Sequence, residues 1–189
     1  KQRVSMVSVM LVNNETGTIF PIKKMARMAH SCGALFHTDA VQSLGKIPVH
    51  LDHIGVDLAS FSGHKFYSLK GCGVLFCRKG ILLNAQIHGG PQERGRRAGT
   101  ENLLSISSFS FMCGELSRVP QEGERITQLT RDLEQKILAE IPSTRIVGSA
   151  TKRVPGVSQL IFEGVHGETL LMNLDLLGIA VSTGSACSS

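Results

Sequence analysis

The chain has 189 residues, 42% hydrophobic and 19% charged, with a formal net charge of +5. That is the composition of an ordinary globular sequence, long enough to bury the core of one domain or one and a half. No apolar run reaches the roughly 20 residues of a membrane-spanning helix and no basic-then-apolar leader opens the chain, so a cytoplasmic protein is expected.

Val7 to Val12 is an apolar, β-branched run that ends in Asn13-Asn14-Glu15-Thr16-Gly17, which predicts a buried strand feeding a turn. Pro21 then precedes Ile22, Met25 and Ala29 at helical spacing, with Gly33 as the stop. Ala34 to Ala40 reads as the next strand and completes a strand-helix-strand unit. Strands are predicted again at Leu58 to Phe61 and Gly73 to Cys77. Thr100 is the expected N-cap of a helix through Leu103, Ile106 and Met112. A second amphipathic helix is marked by Ile126, Leu129, Leu133 and Ile137.

From Arg145 onward the pattern changes. Short strands at Arg145 to Val147 and Val157 to Phe162, a helix with Leu170, Leu171, Leu174 and Leu177, and a strand at Ile179 to Ser182 predict a smaller α+β unit. The boundary is expected between Val119 and Arg125. Because the chain starts on Lys1 and stops in a Ser/Gly loop, both ends are expected to be cut.

Five cysteines without CxxC spacing argue against a disulfide framework and a zinc ribbon, so reduced thiols are expected. Cys32, Cys77 and Cys113 read as buried apolar fillers. Cys187 reads differently, since its small polar neighbours in Ser182-Thr183-Gly184-Ser185-Ala186 cannot bury it and such a loop can carry a thiolate. The histidines show no HExxH or paired Cys/His spacing, so no metal site is expected. Cationic residues are scattered except around Arg94, Arg96 and Arg97, which suits a local anion site better than nucleic acid.

Two strand ends carry candidate chemistry. Ser62-Gly63-His64-Lys65 follows the strand Leu58 to Phe61, and a lysine desolvated at a strand end has a free amine able to form a Schiff base. On its own this loop reads more readily as a solvated charge. Asp39, with Gln42 three residues on, ends the preceding strand; a carboxylate there can cap a turn or hold a proton on a pyridine nitrogen. If the strands are parallel neighbours, both groups face one pocket, because the carboxyl ends of such strands are where α/β sheets bind ligands.

These residues, with the segment His88 to Thr100 and the loop around Cys187, resemble the cysteine desulfurases, fold-type I pyridoxal-phosphate enzymes that feed iron-sulfur cluster assembly. The resemblance covers essentially the whole chain. It implies an α/β fold, part of a three-layer large domain over residues 1–120, followed by part of a small α+β domain over 121–189. It implies pyridoxal 5'-phosphate held by Lys65, with Asp39 on the pyridine nitrogen, Gln42 and Asn14 beside the phenolic oxygen, and Ser62 and His64 on the phosphate. His64 would also help move protons, and Cys187 would take the sulfur of L-cysteine as a persulfide.

The resemblance further implies a homodimer in which Thr100 reaches the neighbouring subunit's cofactor phosphate, and a protein that accepts or scaffolds the sulfur. The chain departs from the commoner pattern at Pro91 and Ala98, and at Ser68-Leu69-Lys70-Gly71-Cys72-Gly73, where Gly-Pro-Lys-Gly is more usual. Since the family draws a cofactor-stacking residue and a substrate-binding arginine from other segments, these 189 residues alone are expected to turn over poorly or not at all. A selenocysteine lyase, a related aminotransferase and a non-catalytic dimer partner stay open as alternatives.

Overall fold

The strand-helix-strand pattern folds as a four-stranded sheet in the order β1 (Met6–Met10), β2 (Leu35–Asp39), β3 (Leu58–Ser62), β4 (Gly73–Cys77). The structure is a computed structural model that describes residues 4–184. β1, β2 and β3 run parallel, with Met10 beside Asp39 and Asp39 beside Ser60, so their carboxyl ends lie along one edge. β4 returns antiparallel to β3, with Ser62 beside Gly73.

Between β1 and β2 runs α1 (Ile22–Ser31), started at Pro21 and stopped by Gly33, whose φ of 74° suits glycine. It buries Ile22, Ala26 and Ala29, spaced to form one stripe, and it packs against β1 and β2. Successive side chains of a strand point to opposite faces. On β2 Phe36 and Thr38 are wholly buried, while Leu35 is exposed and His37 and Asp39 are half-buried. One face of the sheet is thus core and the other is open and polar. Burial of a side chain like Phe36 contributes about 1.5–3 kcal/mol.

The chain divides into two units: residues 1–12 with 20–121, and residues 13–19 with 122–189. The division falls within a helix. After α2 (Leu51–Ile54), the short turn α3 (Gln92–Gly95) and α4 (Leu103–Gly114), a 3-10 turn over Glu115–Arg118 leads into α5 (Val119–Glu140), which runs unbroken through the segment where a boundary was expected. α4 is capped by Asn102, whose side chain accepts the Ser105 N–H at 3.2 Å. Thr100 lies too far upstream to do this, which corrects the sequence expectation.

The second unit pairs β5 (Thr144–Ile146) with β6 (Leu160–Phe162) antiparallel, followed by α6 (Gly167–Leu176). Residues 13–19 join it through Ile19, whose N–H donates to the Lys152 carbonyl, and Gly17, whose carbonyl accepts from Val154. In this unit Arg153 grips the buried Glu134 with two hydrogen bonds of 2.8 Å, and Ser158 donates a third at 2.7 Å. The guanidinium bonds hold the Glu134 carboxyl below its ordinary pKa against the opposing effect of burial.

Two further expectations are corrected. Ile179 to Ser182 is not a strand, and Ile179 and Val181 are about half exposed, since among the described residues no strand pairs with this segment. Cys32 and Cys113 are exposed and Cys77 only half-buried, so none is a sealed filler. Among the described residues, no helix is long and apolar enough to cross a membrane.

Candidate functional site

Asp39 is fixed from both sides. The Leu11 N–H donates to its carbonyl at 2.7 Å and the Ala40 N–H to the Ser60 carbonyl at 2.9 Å, so β2 stays paired up to its last residue. One carboxylate oxygen accepts the Val41 N–H at 2.9 Å, which orients the side chain at the carboxyl end of β2. His37, two residues earlier on the same face, is bonded through both ring nitrogens, to Ser8 at 2.7 Å and Ser60 at 2.9 Å. Sequence reading missed this Ser8–His37–Ser60 row; the signal was the polar residues at alternate positions of otherwise apolar strands.

Beyond Asp39 the segment 40–47 coils in helical-type turns, with Ser43 buried and its hydroxyl donating to the Ala40 carbonyl at 2.6 Å. Gln42 and Lys46, four residues apart, meet on one side of this coil: the Lys46 Nζ donates to the Gln42 Oε1 at 2.7 Å.

Lys65 stands on the 3-10 turn Gly63–Phe66 that directly follows β3. Its side chain is exposed, so the desolvation expected for it is absent from the described residues. The turn ends at Tyr67 with φ 69°, and it is anchored by the buried Phe66, whose ring meets Phe109 edge to face at 4.9 Å. Ser62 and His64 are joined by a 2.8 Å hydrogen bond between Oγ and Nδ1.

Two serines of α4 tie down the stretch that follows. Ser108 accepts the Leu69 N–H at 3.0 Å and Ser68 donates to it at 3.3 Å, while Ser105 donates to the Lys70 carbonyl at 2.8 Å. Ser68 therefore has a bonding partner suited to its own hydroxyl. These serines also escaped the sequence reading, although serines three residues apart in an apolar helix mark a face that bonds a neighbour.

Asp39, Gln42, Ser62, His64 and Lys65 thus lie in one unit, on the segments that leave the carboxyl ends of adjacent parallel strands. Thr100 is in that unit too, exposed on the loop before α4. Asn14 belongs to the other unit and is exposed; its neighbour Asn13 organises that turn by accepting the N–H groups of Glu15 and Thr16. Cys187 lies outside the described residues. Chemically, the set offers an amine, a carboxylate to hold a positive nitrogen, an amide, and a hydroxyl with an imidazole for an anion.

Comparison with known proteins gives the family to which this fold belongs. The chain is 46% identical to a cysteine desulfurase of Gluconacetobacter diazotrophicus over 189 residues, covering 99% of this chain and 47% of that protein. It is 44% identical to the cysteine desulfurase NifS of Azotobacter vinelandii, covering 98% and 46%. Among solved structures, a NifS-like protein from Rickettsia africae superposes with a TM-score of 0.91 at 31% identity, covering 98% of this chain and 51% of that one. DndA from Streptomyces lividans does so at 0.80 and 32%, covering 96% and 52%. The chain spans about half the length of the curated relatives it matches. The aminotransferase class-V family matches residues 1–189 from end to end, and the parallel strands that deliver Asp39 and Lys65 belong to a fold shared with NifS-like structures, so this chain belongs to the class-V aminotransferases.

Proposed function

We propose that this chain carries the cofactor-binding and sulfur-accepting parts of a cysteine desulfurase that uses pyridoxal 5'-phosphate. The observation that carries the reading is the delivery of Asp39 and the Lys65 turn from the ends of neighbouring parallel strands, β2 and β3. The donor set suits this group: an amine for its aldehyde, a carboxylate for its ring nitrogen, and hydroxyl and imidazole groups for its phosphate. When bound, the cofactor supplies an electron sink for charge that develops on the substrate's α-carbon.

The chain's own residues then divide the work. Asp39, held by the Val41 N–H, keeps a proton on the ring nitrogen. Gln42 and Asn14 donate to the phenolic oxygen, and Ser62 and His64 to the phosphate. The Lys65 amine holds the cofactor through its aldehyde carbon, and the His64 imidazole helps transfer protons. Thr100 serves the phosphate of a partner subunit in a homodimer. The Cys187 thiolate takes the sulfur of L-cysteine: the substrate's C–S bond breaks, an S–S bond forms on Cys187, and the thiol hydrogen ends on alanine. The resulting persulfide passes to an acceptor protein in the cytoplasm, for iron-sulfur cluster assembly or another sulfur transfer. The names of the relatives support this reading.

The test is sulfur-labelled cysteine given to an extended, otherwise intact chain, with and without Cys187→Ser. The parent should carry label on Cys187 and release alanine. The variant should still take up pyridoxal 5'-phosphate and respond spectrally to cysteine, but carry no label, because a hydroxyl is far less acidic than a thiol of pKa about 8.5. Undiminished alanine release by the variant would move the protein to a lyase or transaminase activity.

A further inference from the structure

Lys46 holds none of the cofactor-binding roles proposed above, yet the fold fastens it beside Gln42. It lies half-buried on the coil that follows Asp39, with its Nζ 2.7 Å from the Gln42 Oε1. That coil rests on the turn bearing Lys65: a Cβ on Gly45, which has φ 78°, would stand 2.6 Å from the Phe66 Cβ. No side chain fits there, so residues 45 and 46 follow the Lys65 turn closely. Burial, and next the nearby Lys65 ammonium, push the Lys46 pKa down. The chain thus sets a second cation beside its candidate Schiff-base lysine, despite the repulsion this entails.

The chemistry of the Lys46 bond has a direction. An ammonium only donates, so it selects the oxygen end of the Gln42 amide and leaves the two Nε2 hydrogens for another partner. An amide free to flip would offer its oxygen or its nitrogen. A phenolic oxygen carrying negative charge accepts hydrogen bonds and is repelled by a carbonyl. We infer that Lys46 is a positioning residue that locks the Gln42 side chain as a hydrogen-bond donor toward the phenolic oxygen of pyridoxal 5'-phosphate. This rests on the reading above, in which Gln42 faces that oxygen.

The test is a double-mutant cycle read by retention of pyridoxal 5'-phosphate, measured by dialysis of the purified protein and independent of turnover. Lys46→Met should weaken retention roughly five- to tenfold, the net worth of about one hydrogen bond. Lys46→Arg, which keeps a donor, should restore it to within about twofold. Gln42→Ala should cost about as much as Lys46→Met, and the two together no more than Gln42→Ala alone, since Lys46 acts only through Gln42. Should Lys46→Met fail to fold, as judged by circular dichroism of the apoprotein, Lys46→Ala replaces it in the same cycle. Losses that multiply in the double variant, or unchanged retention on removing Lys46, overturn the inference. If the parent itself retains no pyridoxal 5'-phosphate, the proposed function falls instead.

Discussion

Glu134 in the second unit and Asp39 in the first are carboxylates drawn into folded structure, but their charge is met in different ways. Glu134 is buried and receives two bonds from Arg153 and one from Ser158, so an internal cation answers its charge. The Asp39 carboxylate accepts the Val41 backbone N–H at the open end of its strand, and Lys65 is exposed on the turn that follows the neighbouring strand. Burying a charge is costly unless a partner compensates it. A carboxylate matched inside the fold therefore reads as structure, and a carboxylate and an amine set at the open ends of parallel strands read as an invitation to a ligand.

Lys65→Ala should have the largest effect on cofactor capture. Covalent capture of pyridoxal 5'-phosphate on borohydride reduction should vanish, since the aldehyde would have no amine at that position. The fold should hardly change, because an exposed side chain is being truncated. Peptide mapping checks the assignment: borohydride label on Lys70 or any other lysine of the parent would place the site elsewhere.

Glu134→Ala should do the reverse. Removing one member of a buried pair leaves the Arg153 guanidinium uncompensated, which costs about 3–5 kcal/mol. Chemical denaturation should show that loss, whereas the Lys65 capture should persist wherever the protein remains folded. The pH dependence has a definite sign. The folded Glu134 carboxyl has a lowered pKa, so its stabilisation is complete above the ordinary glutamate value near about 4.3 and is lost as pH falls through the folded value below it. A denaturation midpoint that Glu134→Ala leaves unchanged at neutral pH would show that the pair contributes little.

How much of this was legible in the sequence depends on the range of the forces involved. β1 to β4, α1 and α5 follow from local apolar periodicity and from Pro21 and Gly33, so their places were readable. Asp39 and Lys65 were readable as a pair once their strands were taken as parallel neighbours. The Ser8–His37–Ser60 row, the Ser105 and Ser108 clamp and the Arg153–Glu134 pair join residues 19 to 40 positions apart, and a local pattern can mark a bonding face but not name its partner. The assignment of residues 13–19 to the second unit is of the same kind, since it depends on pairing with residues 152–154. The strand expected at Ile179 to Ser182 failed for the converse reason: alternation favours an extended chain, but only a neighbouring strand makes it part of a sheet.

Thr100 and Asn102 carry the comparison down to two residues. Sequence pattern made Thr100 the cap of α4, but the structure gives that place to Asn102, whose side chain accepts the Ser105 N–H. Asn102→Ala should cost about 1 kcal/mol, the worth of an N-cap, and lower the melting temperature by roughly 2–4 °C. Retention of pyridoxal 5'-phosphate should stay as in the parent. Thr100→Ala should leave the apoprotein's melting temperature unchanged, because Thr100 is exposed and does not cap the helix. It should instead loosen the cofactor, since the proposed role of its hydroxyl is a hydrogen bond to the phosphate of the partner subunit's cofactor. Thermal melts of the two apoproteins, set beside dialysis of the two loaded proteins, separate these effects. If Thr100→Ala lowers the melting temperature and spares retention, then Thr100 is a structural residue and the loop before α4 does not reach a cofactor.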